Sequence, residues 1–148
     1  MDIDTAELRR AWRRTRPYLL SHHEPDEWDR CYAPTVSGRQ FHVCARCAGI
    51  YPGIAIGVIA GLLGRTDADL GIITLTPLPA LVDWLATTDT DRRGHNAVRT
   101  ITGGLLGYGY GRGLARLVHS RDMRVIAIGA SYATLAATLL SGTVIGSP

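Results

Sequence analysis

Six side chains suited to soft or borderline metal ions crowd between residues 22 and 47: His22, His23, Cys31, His42, Cys44 and Cys47. Beyond them the chain holds no further cysteine and only two more histidines, His95 and His119. The pattern Cys31-x12-Cys44-x2-Cys47, with His22 upstream, offers one imidazole and three thiolates, a set that suits tetrahedral zinc. His23 or His42 is the alternative nitrogen donor. The two-residue gap between Cys44 and Cys47 lets both sulfurs face one ion, and Arg30 and Arg46 are placed to offset thiolate charge. The same residues support a redox reading. A Cys-x-x-Cys pair at a helix start has its thiolate favoured by the helix dipole and by Arg46, with Cys31 as a resolving thiol. Packing of inert thiols is the third reading. A structural disulfide framework is disfavoured if the amino terminus is cytoplasmic.

A second polar group is formed by Asp83, Asn96 and Arg99. Ionisable residues at membrane depth are costly and are usually paired or functional, so an ion pair between Asp83 and Arg99 across a short hairpin is expected. The alternative is a patch for lipid headgroups or substrate, with His95, Arg92 and Arg93 attracting phosphate. No Ser-His-Asp arrangement, paired-carboxylate motif or HExxH signature points to a hydrolase. The run Gly107 to Gly113 lacks the preceding strand and lysine of a phosphate-binding loop.

These groups must be positioned by strongly segregated elements. In a chain of 148 residues, 46% hydrophobic, charge concentrates before Ala48 and then retreats into short clusters. Four apolar stretches, Ala48–Gly64, Leu70–Thr87, Ala97–Val118 and Met123–Gly146, approach the length needed to cross a bilayer. Pro77 and Pro79 imply a break in the second, and Arg112 interrupts the third. A soluble helical domain would have too little polar surface to cover four such runs. Small residues recur every four positions at Gly49, Gly53, Gly57 and Gly61, at Gly103, Gly107 and Gly111, and at Gly129, Ala133, Ala137 and Ser141. Such ridges let helix backbones approach closely in lipid.

No cleavable signal peptide is expected, because residues 1–20 lack an apolar core. Residues 5–20 instead read as a basic interfacial helix on anionic headgroups, with Trp12 at the boundary. With the amino terminus inside, eleven arginines fall on the cytoplasmic side and five outside, Arg65, Arg112, Arg116, Arg121 and Arg124, which favours a cytoplasmic amino terminus.

The segment Val43-Cys44-Ala45-Arg46-Cys47-Ala48-Gly49-Ile50-Tyr51-Pro52-Gly53, with His22 upstream, Pro79 to Asp83, and Asn96 to Gly103, resembles small archaeal and bacterial membrane proteins grouped as domain of unknown function 2085. The likeness covers roughly residues 20–110. Where many members have Cys-His, this chain has Ser21-His22, which raises the question of whether Cys31 supplies the thiol. The resemblance implies a membrane fold and a site but no reaction.

The expected architecture is all-α: an interfacial helix over 1–20, a Cys/His metal-binding segment over 21–47 and a four-span bundle over 48–146. The expected function is zinc binding at the membrane face of a multi-pass cell-membrane protein. A thiol–disulfide or quinone-linked oxidoreductase and a lipid-headgroup-binding or -modifying protein are the alternatives. The expected partners are the bilayer and anionic headgroups, not nucleic acid.

Overall fold

A computed structural model describes residues 5–15, 21–64, 68–88 and 94–145. The order is α1 (Thr5–Thr15), a 3-10 helix at Pro25–Arg30, strands β1 (Cys31–Tyr32), β2 (Thr35–Val36), β3 (Arg39–Gln40) and β4 (Val43–Cys44), then helices α2 (Ala45–Leu63), α3 (Asp69–Leu75), α4 (Leu78–Thr88), α5 (Asn96–Ser120) and α6 (Arg124–Ile145). Arg65, Arg92 and Arg93, counted above for orientation or phosphate attraction, lie outside the described residues, as does the side chain of Trp12.

The all-α expectation is corrected between residues 31 and 44, where the chain folds back on itself as two nested antiparallel pairs. β2 and β3 are joined by Ser37 and Gly38, with φ of 52° and 73°. Two successive positive φ values make the primed turn whose twist matches a hairpin. Outside this tip β1 pairs with β4, setting Cys31 opposite Cys44 and Tyr32 opposite Val43. The hairpin therefore removes the twelve-residue separation between the first two cysteines.

The second expected span is two helices, α3 and α4, parted around Thr76 and Pro77. Proline lacks the amide proton that would continue the ladder. Among the described residues, two segments are long and apolar enough to cross a membrane, Ala45–Leu63 and Asp69–Thr87, while α6 contributes a shorter apolar stretch, Arg124–Leu139. Four were expected. α5 is long enough at 25 residues but carries Arg99, Arg112 and Arg116. Arg112 is buried and ion-paired with Asp69 of α3, and Arg116 reaches the same carboxylate at 3.5 Å.

Burial is inverted relative to a water-soluble domain, whose large apolar side chains fill the interior. Here, among the described residues, the buried apolar side chains are small apart from Ile73, with Ala45, Ala80 and Ala115 among them, whereas Ile56, Ile59, Leu62, Leu63, Val82, Ile101 and Val118 are exposed. Small residues inside and large aliphatic ones outside suit packing in lipid, where backbone proximity rather than apolar burial drives association.

The principal contact is between α2 and α5. A Cβ added at Gly49, Gly53 or Gly57 would overlap the carbonyl oxygens of Thr100, Gly104 or Tyr108. One added at Gly103, Gly107 or Gly111 would overlap those of Arg46, Ile50 or Ile54. The two glycine rows thus face each other, each occupying space a side chain would need. The third ridge behaves otherwise: Gly129, Ala133, Ala137 and Ser141 are all exposed, and a Cβ at Gly129 would meet nothing. α6 is instead tethered at its edges, where the Tyr132 hydroxyl donates to the Thr74 carbonyl and Asp122 binds Arg116 at 2.8 Å. The compact four-helix bundle is corrected accordingly to a tight α2–α5 pair, with α3 and α4 on α5 and α6 peripheral.

Candidate metal centre

β4 runs directly into α2, so Cys44 is the residue that caps the helix and Cys47 follows three positions later on the same face. The thiol of Cys44 makes no capping bond to the helix backbone. Its neighbourhood is held against α5 by polar side chains. Asn96 donates from Nδ2 to the carbonyls of Asp29 at 3.0 Å and Cys31 at 3.3 Å. The Thr100 hydroxyl lies 2.9 Å from the Ala45 carbonyl and 2.9 Å from the Tyr32 hydroxyl. Asn96 and Thr100, one turn apart on α5, therefore fasten the Cys/His segment to the helical pair.

His22, His23 and Cys44 each present a donor atom within 4.8 Å of the others. His23 Nε2 lies 3.4 Å from Cys44 Sγ, and His22 Nδ1 lies 3.9 Å from Cys47 Sγ. A tetrahedral zinc with bonds of 2.0–2.3 Å has ligand-to-ligand edges of about 3.3–3.8 Å, so both separations are near those of a filled site. The opposite nitrogen of His23, Nδ1, lies 3.0 Å from Glu27 Oε2, and Glu27 is in turn 2.8 Å from Arg30. A carboxylate on the far nitrogen fixes the tautomer that leaves Nε2 as a donor to metal. Partial burial and the neighbouring His23 hold the His22 imidazole below its ordinary range. The hydrogen bond from His23 lowers the Glu27 carboxyl.

The remaining expected ligands sit differently. Cys31 lies 3.2 Å from the Ser21 hydroxyl, both residues being buried, and burial pushes its thiol up. His42 is stacked on Trp28, with ring centroids 3.7 Å apart and planes 16° from parallel. Ser21, the position at which the chain departs from the pattern it resembles, is thus the immediate neighbour of the thiol suspected of compensating for it.

The donors line a cleft of about 310 Å³ together with Arg30, Arg46, Ile50, Trp84, Thr87 and Arg99. The start of α2, the end of α4 and the start of α5 converge there. The expected ion pair between Asp83 and Arg99 is corrected: Asp83 is bound by Arg46, and Arg99 donates to Asn96 Oδ1 at 3.3 Å. The reason is helix phase and proximity. Arg46 lies in the first turn of α2, beside the end of α4, whereas Arg99 lies one turn into α5 on the face it shares with Asn96. Sequence reasoning gave Arg46 only a general role in offsetting thiolate charge. Ser21 and Thr100 lay within the family likeness without an assigned role; for Glu27, the four-residue spacing from His23 was the available signal.

The chain belongs to the family of domain of unknown function 2085, described as a predicted membrane protein, whose model matches residues 30–112. No curated protein and no solved structure matches it.

Proposed function

We propose that this membrane protein binds one zinc ion at its membrane face through His22, His23, Cys44 and Cys47, and that the ion fixes residues 21–47 onto the α2–α5 pair. The spacing of the two nitrogen–sulfur pairs, 3.4 Å and 3.9 Å, carries this reading. Two imidazole nitrogens and two cysteine sulfurs are a donor set that zinc accepts readily, and Glu27 supplies the orienting carboxylate. When bound, the ion would supply a positive centre that neutralises both thiolates and crosslinks the hairpin, the 3-10 helix and α2.

Four spans complete this reading: α2, the α3–α4 pair, α5 and α6, with both termini and the metal cleft on the cytoplasmic side. The burial of Arg112 against Asp69 supports α5 as a span, since a paired guanidinium is far less costly at membrane depth than a free one. The basic face of α1 supports attraction to anionic headgroups.

The test is metal content. Full-length protein purified in mild detergent without added zinc should carry about one equivalent per chain. Cys44→Ser and His23→Ala should release it, whereas Cys31→Ser and His42→Ala should retain it. Retention in His23→Ala with loss in Cys31→Ser would replace the ligand set by His22, Cys31, Cys44 and Cys47. One observation favours a second reading: Cys31 and Cys44 are register partners across β1 and β4, within reach of each other for thiol–disulfide chemistry. Metal-free protein whose Cys31 and Cys44 cross-link reversibly under mild oxidation would favour that chemistry and reject the zinc centre.

A further inference from the structure

Arg99 is the cation the zinc centre does not use. It is 6% exposed and borders the cleft, yet the only hydrogen bond its guanidinium makes among the described residues is to the neutral Asn96 amide at 3.3 Å. The other two guanidiniums of the cleft are neutralised, Arg30 by Glu27 at 2.8 Å and Arg46 by Asp83. Arg46 nevertheless keeps a buried Nε without a hydrogen-bond partner. A charge so far withdrawn from water and lacking a counter-ion is costly unless something pairs with it. The cleft adds to the imbalance, because α2 and α5, 19 and 25 residues long, both begin there and turn the positive ends of their dipoles toward it.

From these observations we infer that the cleft binds a phosphoryl group, with Arg99 as its principal anchor and Arg30 as an additional donor. Guanidinium geometry matches phosphate oxygens with paired N–H bonds. Ile50 and Trp84 give the cleft an apolar side, which suits a phosphate attached to an organic group. The cleft lies where the three helix ends meet, the level at which a lipid phosphate would sit if these helices span. Free phosphate and a lipid headgroup share this chemistry. Anion binding by Arg99 does not require the metal, although the two sites share one cleft.

The test is calorimetric titration of full-length protein in a neutral detergent with two probes, inorganic phosphate and dihexanoyl phosphatidic acid, with zinc content measured on every preparation. Saturable one-to-one binding is expected for at least one probe. Arg99→Gln should weaken it at least tenfold while metal content stays at the wild-type level. Tighter binding of the lipid probe by tenfold or more identifies a headgroup site, and comparable affinities identify a free-phosphate site. Should Arg99→Gln fail to fold, Arg30→Gln at the half-exposed rim of the cleft carries the test and should weaken binding at least threefold. Absence of saturable binding by either probe, or unchanged affinity in the folded variants, overturns the proposal. Loss of phosphate together with zinc in Arg99→Gln would assign the anion to the metal and overturn it as well.

Discussion

Two adjacent glycines on α5 give an internal control on the packing of the helical pair. A Cβ added at Gly103 would overlap the Arg46 carbonyl oxygen and lie 3.1 Å from Arg46 Cγ, whereas one added at Gly104 would meet nothing closer than the Gly49 carbonyl oxygen at 3.8 Å. An ordinary carbon–oxygen contact sits near 3.3–3.6 Å, so Gly103→Ala requires α2 and α5 to separate locally by about 1 Å. Overpacking of this kind typically costs about 1–3 kcal/mol. Gly104→Ala adds a methyl group in ordinary contact and removes backbone freedom from the unfolded chain, a gain of about 0.5–1 kcal/mol. The two variants should thus differ by about 2–4 kcal/mol. At about 2–4 °C per kcal/mol for a chain of this size, that is a gap of roughly 5–15 °C in Tm, followed by circular dichroism in detergent. Because the displaced carbonyl belongs to Arg46, between Cys44 and Cys47, Gly103→Ala should also lower metal retention. Gly107→Ala, which strikes the Ile50 carbonyl, should cost stability with less effect on the metal. Equal melting of Gly103→Ala and Gly104→Ala would refute the close approach of the helices.

In a double-mutant cycle, Asp83→Asn and Arg46→Gln should show a coupling of about 1–3 kcal/mol in detergent unfolding, whereas Asp83→Asn and Arg99→Gln should be additive; additivity in the first cycle would deny the ion pair. Hydrogen bonds from Arg124 and Arg116 hold the Asp122 carboxyl far below its ordinary range. Its folded pKa is depressed, so the tie between α5 and α6 contributes fully above the unfolded carboxyl pKa of about 3.9, weakens progressively below it and is lost as pH falls through the depressed folded value. Amide exchange over residues 121–125 should therefore accelerate below about pH 4, and Asp122→Asn should exchange rapidly at every pH; a pH-independent wild type would contradict this. A reporter fused after Pro148 should be active on the cytoplasmic side, and an external carboxyl terminus would exclude four spans.

Composition and spacing determined much of this protein. The apolar runs marked α2, the α3–α4 segment, α5 and α6, because a long stretch of apolar residues uninterrupted by turn formers favours a helix whatever it packs against. Pro77 marked the break between α3 and α4, since a missing amide proton acts locally whatever surrounds it. The four-residue glycine period marked the faces of α2 and α5, and the crowding of histidines and cysteines between residues 22 and 47 marked the segment in which His22, His23 and Cys44 come together. The family match agrees with the motif that begins at Val43. What tertiary structure decided were the pairings, which depend on chain reversal and helix phase rather than on local preference. The Ser37-Gly38 turn set Cys31 beside Cys44, a contact that no spacing rule for cysteines expresses. Asp83 took Arg46 of α2 although α4 packs on α5, and Arg99, bound to Asn96, is left buried without a carboxylate among the described residues. The small-residue ridge of α6 has the same signature as the other two, yet it faces away from the chain. Periodicity fixes which residues share a face, but only the packed structure decides what that face meets.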